Sequence, residues 1–128
     1  MRDLDGRLSA AVSVAPSGNR TASINGSGVD LANYDSALAI VQFGTITDGT
    51  WTASLEESDN NSDFTAVAAA DQSGSFTGAT SSTDETTQQV AYLGTKRYIR
   101  VVVTETVAST TGAIFSALVV RGNPRKAA

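Results

Sequence analysis

The sequence predicts an all-β fold, an antiparallel β-sandwich led by an extended N-terminal arm. Three observations carry that expectation. Apolar residues recur in short runs, one strictly alternating with polar residues, and helical spacing is nearly absent. Turn residues punctuate the runs at roughly 8–12-residue intervals, the spacing of hairpin-connected strands rather than of strands joined by helices. Composition agrees: Ser and Thr together number 31 and Gly 11 in 128 residues, while only 17% are charged. Hydrophobic residues are 41% of the chain, but 19 of them are Ala, so the large apolar side chains suffice for one modest core. The expected division is an arm over residues 1–30, a sandwich domain over 31–123 and a basic tail over 124–128.

Each element has its own signal. Leu4, Leu8, Ala11 and Val12 fit one face of a short helix. Beyond Pro16, residues 17–28 are mostly Ser, Gly, Asn and Thr, the composition of an arm that orders against a neighbour. Asp3 and Asp5 stand where a secretory signal carries basic residues, so no export signal is expected. Residues 37–43 (ALAIVQF) are almost uniformly apolar and suit a strand buried on both sides. Asp48-Gly49 is a turn pair. Residues 50–57 (TWTASLEE) alternate, placing Trp51, Ala53 and Leu55 on one face. A polar turn over 59–63 leads to a strand at 64–68, and these three runs read as a meander. Residues 71–87 form a long polar connection anchored by Phe76, expected to hold a short strand or a contact loop. Strands follow at 88–93, at 97–104 (RYIRVVVT) and at 113–121, the last ended by Gly122 and Pro124.

The residue types exclude several chemistries. The sequence contains no His and no Cys, which removes thiol nucleophiles, disulfides, His-based proton transfer and the usual zinc ligands. No apolar run approaches the roughly 20 residues of a membrane-spanning helix. The net charge of −4 is unevenly spread. Residues 1–29 hold three Arg and two Asp, residues 30–93 hold ten acids and no base, and residues 94–128 hold six bases and one acid. The long acidic stretch argues against nucleic acid as a partner. Either the blocks neutralise each other within one molecule, or they orient one copy against another or against a larger assembly.

Candidate sites each have a plain structural alternative. Asp59, Asn61 and Asp63 match the opening of a calcium loop, but Phe64 replaces its glycine and Ala70 its bidentate glutamate, so a polar turn explains them better. Glu56 and Glu57 are adjacent on a strand and must point to opposite faces, so they do not form a catalytic carboxylate pair. Gly26-Ser27-Gly28 lacks the Lys and following helix of a phosphate loop. Trp51 and Tyr92 suggest a sugar-stacking platform, yet Trp51 is in phase with Leu55 and reads as core. Lys96, Arg97 and Arg100 surround Tyr98 and are expected to form salt bridges with the acidic strands or with a partner protein. No catalytic residue, metal ligand or cofactor is expected, and the chain is not expected to be an enzyme.

Three segments carry a resemblance. Phe43 to Val67 (FGTITDGTWTASLEESDNNSDFTAV), Val90 to Thr104 (VAYLGTKRYIRVVVT) and the closing Val119 to Arg125 resemble small virion structural proteins of tailed bacteriophages. The resemblance spans about residues 37–125. It implies a capsid decoration, or cement, protein that sits on the outer shell as a homotrimer and braces neighbouring subunits of the major capsid protein. It implies a virion location after synthesis in the host cytoplasm, with neither nucleic acid nor membrane as partner. Alternatives within the same reading are a head–tail joining or tail component. The turn-Trp and Arg-Tyr-x-Arg-Val elements are also similar to jelly-roll modules of the carbohydrate-binding type, which implies a jelly-roll-like sandwich and keeps sugar binding open. On the decoration reading, Arg2, Arg7, Arg20, Arg125 and Lys126 are the expected protein-interaction residues, facing acidic capsid patches.

Overall fold

Alternating apolar positions on ten strands close around one shared interior. The computed structural model describes residues 3–124. A single 3-10 turn (Asp5–Arg7) precedes β1 (Leu8–Val14), β2 (Ile24–Asn25), β3 (Val29–Asp30), β4 (Tyr34–Ile46) and β5 (Thr50–Ser58). Then come β6 (Thr65–Ala66), a second 3-10 turn (Ala69–Asp71), β7 (Gln72–Ser73), β8 (Thr87–Tyr92), β9 (Tyr98–Val107) and β10 (Ala113–Pro124). One sheet runs β1-β10-β4-β8-β7, and the other runs β2-β9-β5-β6 with β3 also on β9. Every pairing is antiparallel.

The pairing is nested. The first strand pairs with the last, β2 and β3 with β9, β4 with β8, and β5 with β6. A long doubled-back ribbon rolled into two sheets gives this order, which is the jelly-roll winding. Between the sheets, Trp51 packs on Phe115 (centroids 5.4 Å apart) and Phe115 on Phe43 (6.0 Å). Ala37, Ala39 and Ala117 of the first sheet and Leu55, Ile99 and Val101 of the second are buried in one shared core, where the small side chains leave room for the branched ones. Trp51 is fully buried. A Trp covers roughly 150–250 Å², so at about 25 cal/mol per Å² its burial contributes about 4–6 kcal/mol.

The sandwich matches the expected class, but the leading segment differs from the arm expected over residues 1–30. Residues 8–14 are strand, not helix, and pair with β10 from Leu8↔Gly122 to Val14↔Ala117. Ser9, Ala11 and Val14 turn inward while Leu8, Ala10 and Val12 turn outward, a period of two that the Ala pair had obscured. The polar stretch after Pro16 is laced onto the domain. Arg20 exchanges both backbone hydrogen bonds with Ala113, and Gly26 N–H donates to Val101 O. A Cβ on Gly26 would collide with Ser13 and Val101, so the small residues there permit close backbone approach.

Two further expectations change. Residues 37–68 are not a meander, because β4 and β5 lie in different sheets. The Asp48-Gly49 turn, with Gly49 at φ 83°, carries the chain across the core so that Phe43 and Trp51 both face inward. Likewise β4 is buried on one face only: Leu38 and Ile40 remain half-buried on the other. The long connection over 71–87 does hold a short strand, β7, and Ala79 forms an isolated bridge to Trp51.

Candidate protein-docking surface

The two outer faces of the sandwich are chemically unlike. On the second sheet, outward positions are Thr50, Thr52, Ser54 and Glu56 of β5 beside Arg100 and Thr104 of β9. Arg100 donates to Glu56 at 2.8 Å and lies under the Phe64 ring, 4.1 Å from its centroid. The 59–64 turn folds back over this side, close enough that a Cβ on Gly28 would collide with Asn61 and Phe64.

On the first sheet, register aligns apolar residues into cross-strand rows. One row is Ala10, Val120, Leu38 and Ala91; the next is Val12, Leu118, Ile40 and Gln89. Leu8 extends the patch along β1. Val12 is 49% exposed, Leu8 43% and Leu118 38%. No charged residue interrupts the rows, and Gln42, Thr87, Ser116 and Ser36 continue them as a polar border. With strands about 4.8 Å apart and about 3.4 Å of rise per residue, the patch covers roughly 400 Å². An apolar centre with a polar rim is the anatomy of a protein interface.

At one pole of the sandwich the charge blocks meet. Asp30 accepts from Arg97 Nε at 2.9 Å and from Nη2 at 2.8 Å, and its Oδ1 also accepts from Ala32 N–H. The guanidinium first, and that amide next, lower the Asp30 pKa to about 2, while the same pairing raises Arg97. Lys96 donates to Asp59 at 2.8 Å, which raises the Lys96 pKa. Tyr92 is buried, donates to Glu57 Oε1 at 2.7 Å and accepts from Lys96 N–H; burial, then the Glu57 carboxylate, pushes its phenol up. A cleft of about 450 Å³ opens here, lined by Asn33, Tyr34, Asp35, Tyr92, Lys96 and Arg97 among others. Near the opposite pole, Asp48 accepts backbone N–H bonds from Thr110, Thr111 and Gly112, and these hold its carboxyl well below the usual range.

These positions settle several expectations drawn from sequence. Lys96, Arg97 and Arg100 each take a different carboxylate of the acidic block, so they do not share a site. Glu56 and Glu57 do diverge, one toward Arg100 and the other toward Tyr92. Asp59 and Asp63 are turned to Lys96 and Asn60. Trp51 and Tyr92 lie near opposite ends of β5 and form no platform: Tyr92 reaches Glu57, six residues along from Trp51, or roughly 20 Å of strand. Among the expected interaction residues, Arg7 is exposed, whereas Arg20 is turned inward. Its Nη2 donates to Ala15 O, its guanidinium lies 5.5 Å from the Phe115 ring centroid, and its Nε is buried with no partner among the described residues. Arg20 is half-buried, so less of it is open to a partner than of Arg7. Arg2, Arg125 and Lys126 lie outside the described residues. The apolar rows were not anticipated, although β10 alternates detectably at Leu118 and Val120.

No family model and no curated protein sequence matches the chain. Among solved structures, it is similar to a chain in the structure of infectious bursal disease virus, Gx strain, with a TM-score of 0.45 and 15% identity over 92% of this chain and 34% of that one. A chain in the crystal structure of the infectious bursal disease virus VP2 subviral particle gives a TM-score of 0.31 and 12% identity over 93% of this chain and 42% of that one. This chain therefore spans about a third to two fifths of their length.

Proposed function

We propose that this chain is a structural virion protein, a capsid decoration protein that seats on the outer shell and stabilises it by bridging neighbouring capsid subunits. The observation that carries the reading is the outer face of the β1-β10-β4-β8 sheet, which is apolar at its centre, polar at its rim and uncovered by any described part of the chain. Such a face acts by lying against another protein. The motif resemblance over residues 37–125 supplies the kind of assembly: virion proteins that brace a shell without chemistry. Many copies on one particle let individually weak contacts hold together.

The test is co-sedimentation with particles of the encoding phage assembled without this protein. Wild type is expected to bind. Leu118→Lys, which puts a charge in the middle of the apolar rows, is expected to weaken binding by at least tenfold, while Thr52→Lys on the other sheet leaves it unchanged. Binding that persists in 1 M salt supports the apolar face; binding that disappears there points to exposed cations such as Arg7 instead. Failure of the wild type to bind any particle ends the reading.

A further inference from the structure

β1 is the outer strand of its sheet, and half of its free edge is open. Leu8 N–H turns back to Leu4 O, not to β10. In an antiparallel ladder the peptide groups of alternate residues point to opposite sides, so Leu8, Ala10 and Val12 present theirs to the outside. Past Val12 a bulge interrupts the register, and Ser27 N–H covers the edge by donating to Ser13 O. Before it, Ala10 shares the outward side with Leu8, away from β10, and no turn or loop backbone bond reaches Ala10 N–H or Ala10 O among the described residues. Natural sheets defend such edges with Lys, Pro or inward charges; Leu8–Val14 reads LSAAVSV and contains none of them.

We propose that two copies of this chain pair along this edge, β1 against β1, antiparallel about a two-fold axis through Ala10. Ala10 then faces its own copy and exchanges both backbone hydrogen bonds with it, and Val12 N–H donates to the second copy's Leu8 O, while Leu8 N–H stays on Leu4 O. Side chains of all three residues already point to the apolar outer face, so the pairing joins two patches into one. Area decides why this matters. One patch of roughly 400 Å² is half of the about 800 Å² that each partner gives to a stable interface, and two joined patches reach it. The pairing rests on the edge alone; that the doubled face docks on a capsid shell rests on the reading above.

The chain has no cysteine, so Ala10→Cys introduces a unique thiol. Opposed Cβ atoms in a hydrogen-bonded antiparallel pair lie about 5.5 Å apart, beyond the roughly 3.5–4.5 Å of a relaxed disulfide but within reach of a short bismaleimide. With that reagent the full-length Ala10→Cys protein is expected to form a cross-linked dimer at least tenfold faster than Ser54→Cys, which sits on the other sheet's outer face. Ala10→Pro removes only an N–H that β10 does not use, and is expected to raise the dimer dissociation constant at least tenfold in sedimentation equilibrium. If that variant fails to fold, Ala10→Lys, which sets two like charges face to face, takes its place. Equal cross-linking of both thiols, a wild type that stays monomeric to about 1 mM, or a trimer as the smallest oligomer overturns the proposal. A dimer that binds no particle would leave the pairing intact and end only the virion reading.

Discussion

Ser13→Ala is the sharpest test of how the two sheets are tied together. Ser13 is buried on β1, yet its hydroxyl serves the other sheet: it accepts from Val101 N–H at 2.9 Å and donates to Ser27 O at 2.9 Å. The need arises because the strand beside β9 is broken. β2 pairs at Val102 and Val103, β3 pairs at Tyr98 and Ile99, and between them the chain turns to β1, where Ser27 N–H donates to Ser13 O. Val101 O still finds Gly26 N–H, but Val101 N–H has no strand carbonyl opposite it. The Ser13 hydroxyl replaces that carbonyl from the facing sheet. Removing it leaves a buried donor unsatisfied, which costs about 1–3 kcal/mol, and deletes a second bond worth about 0.5–1.5 kcal/mol. A loss of about 2–4 kcal/mol is expected. Urea unfolding followed by the fluorescence of Trp51, the single and fully buried tryptophan, reads it directly. Ser17→Ala, whose exposed hydroxyl reaches only Gly18 O, serves as the control. A Ser13→Ala loss below about 0.5 kcal/mol would show that water or a backbone shift satisfies Val101, and would refute the reasoning.

Other outcomes follow from the same geometry. Deleting residues 1–28 removes β1 and β2 and uncovers Val119 and Val101, so the remainder is expected to lose the cooperative urea transition and the near-ultraviolet dichroism of Trp51. Asp30 titrates at about 2 in the folded chain, below its unfolded value of about 3.9; its contribution is complete above that unfolded value and disappears as pH falls through about 2. Because the Asp30–Arg97 pair is half exposed, that contribution is held to under about 1 kcal/mol, and acid titration of Arg97→Ala against wild type measures it. Asp48→Ala releases three backbone N–H groups of the β9–β10 loop, so amide exchange at Thr110, Thr111 and Gly112 is expected to accelerate while that of β5 is unchanged. Gly112→Ala is expected to be strongly destabilising, since Gly112 sits at φ 89° with the Arg20 carbonyl where its Cβ would go.

Strand existence was readable wherever a run was long or alternated. Residues 50–57 and 97–104 announced β5 and β9, and Gly94 and Gly112 marked the turns on either side of β9, whereas Gly122, expected to end the last strand, lies inside β10 and pairs with Leu8 and Ser36. What could not be read was which sheet each strand joins. The Asp48-Gly49 turn suits a hairpin and a sheet-to-sheet crossing equally well, and only the common burial of Phe43 and Trp51 decides between them. The leading segment misled for a different reason. Alanine is compatible with helix and strand, so Leu8–Val14 carried a weak period, and the Gly and Ser residues beyond Pro16 suggested looseness where they in fact allow tight backbone contact. The charge blocks left open whether their partners lay inside the molecule; the three described ion pairs are all internal. Surface character was partly visible, because Arg100 and Glu56 mark one outer face as polar, but the opposite face needed the register of four strands.

That opposite face is where pattern and structure disagree most usefully. A run such as residues 37–43 is the composition of a strand covered on both sides, and β10 adds Leu118, Val119 and Val120 beside it. In β9 a comparable run of three Val is resolved within the chain: Val101 and Val103 fill the core, and outward-facing Val102 is 9% exposed on the side where the 59–64 turn folds back. In β4 and β10 no described loop performs that service, and Leu38, Ile40, Leu118 and Val120 stay partly open to solvent. A face of scattered apolar residues needs no explanation, but these four stand in adjacent rows of paired strands, bordered by glutamine, serine and threonine rather than by charge. Among the described residues no second layer lies over these rows, and the open edge of β1 lies at the margin of that same face. Covering one without extending the other would leave either exposed apolar rows or unpaired peptide groups, so a partner that satisfies both accounts for more of the sequence than either feature does separately.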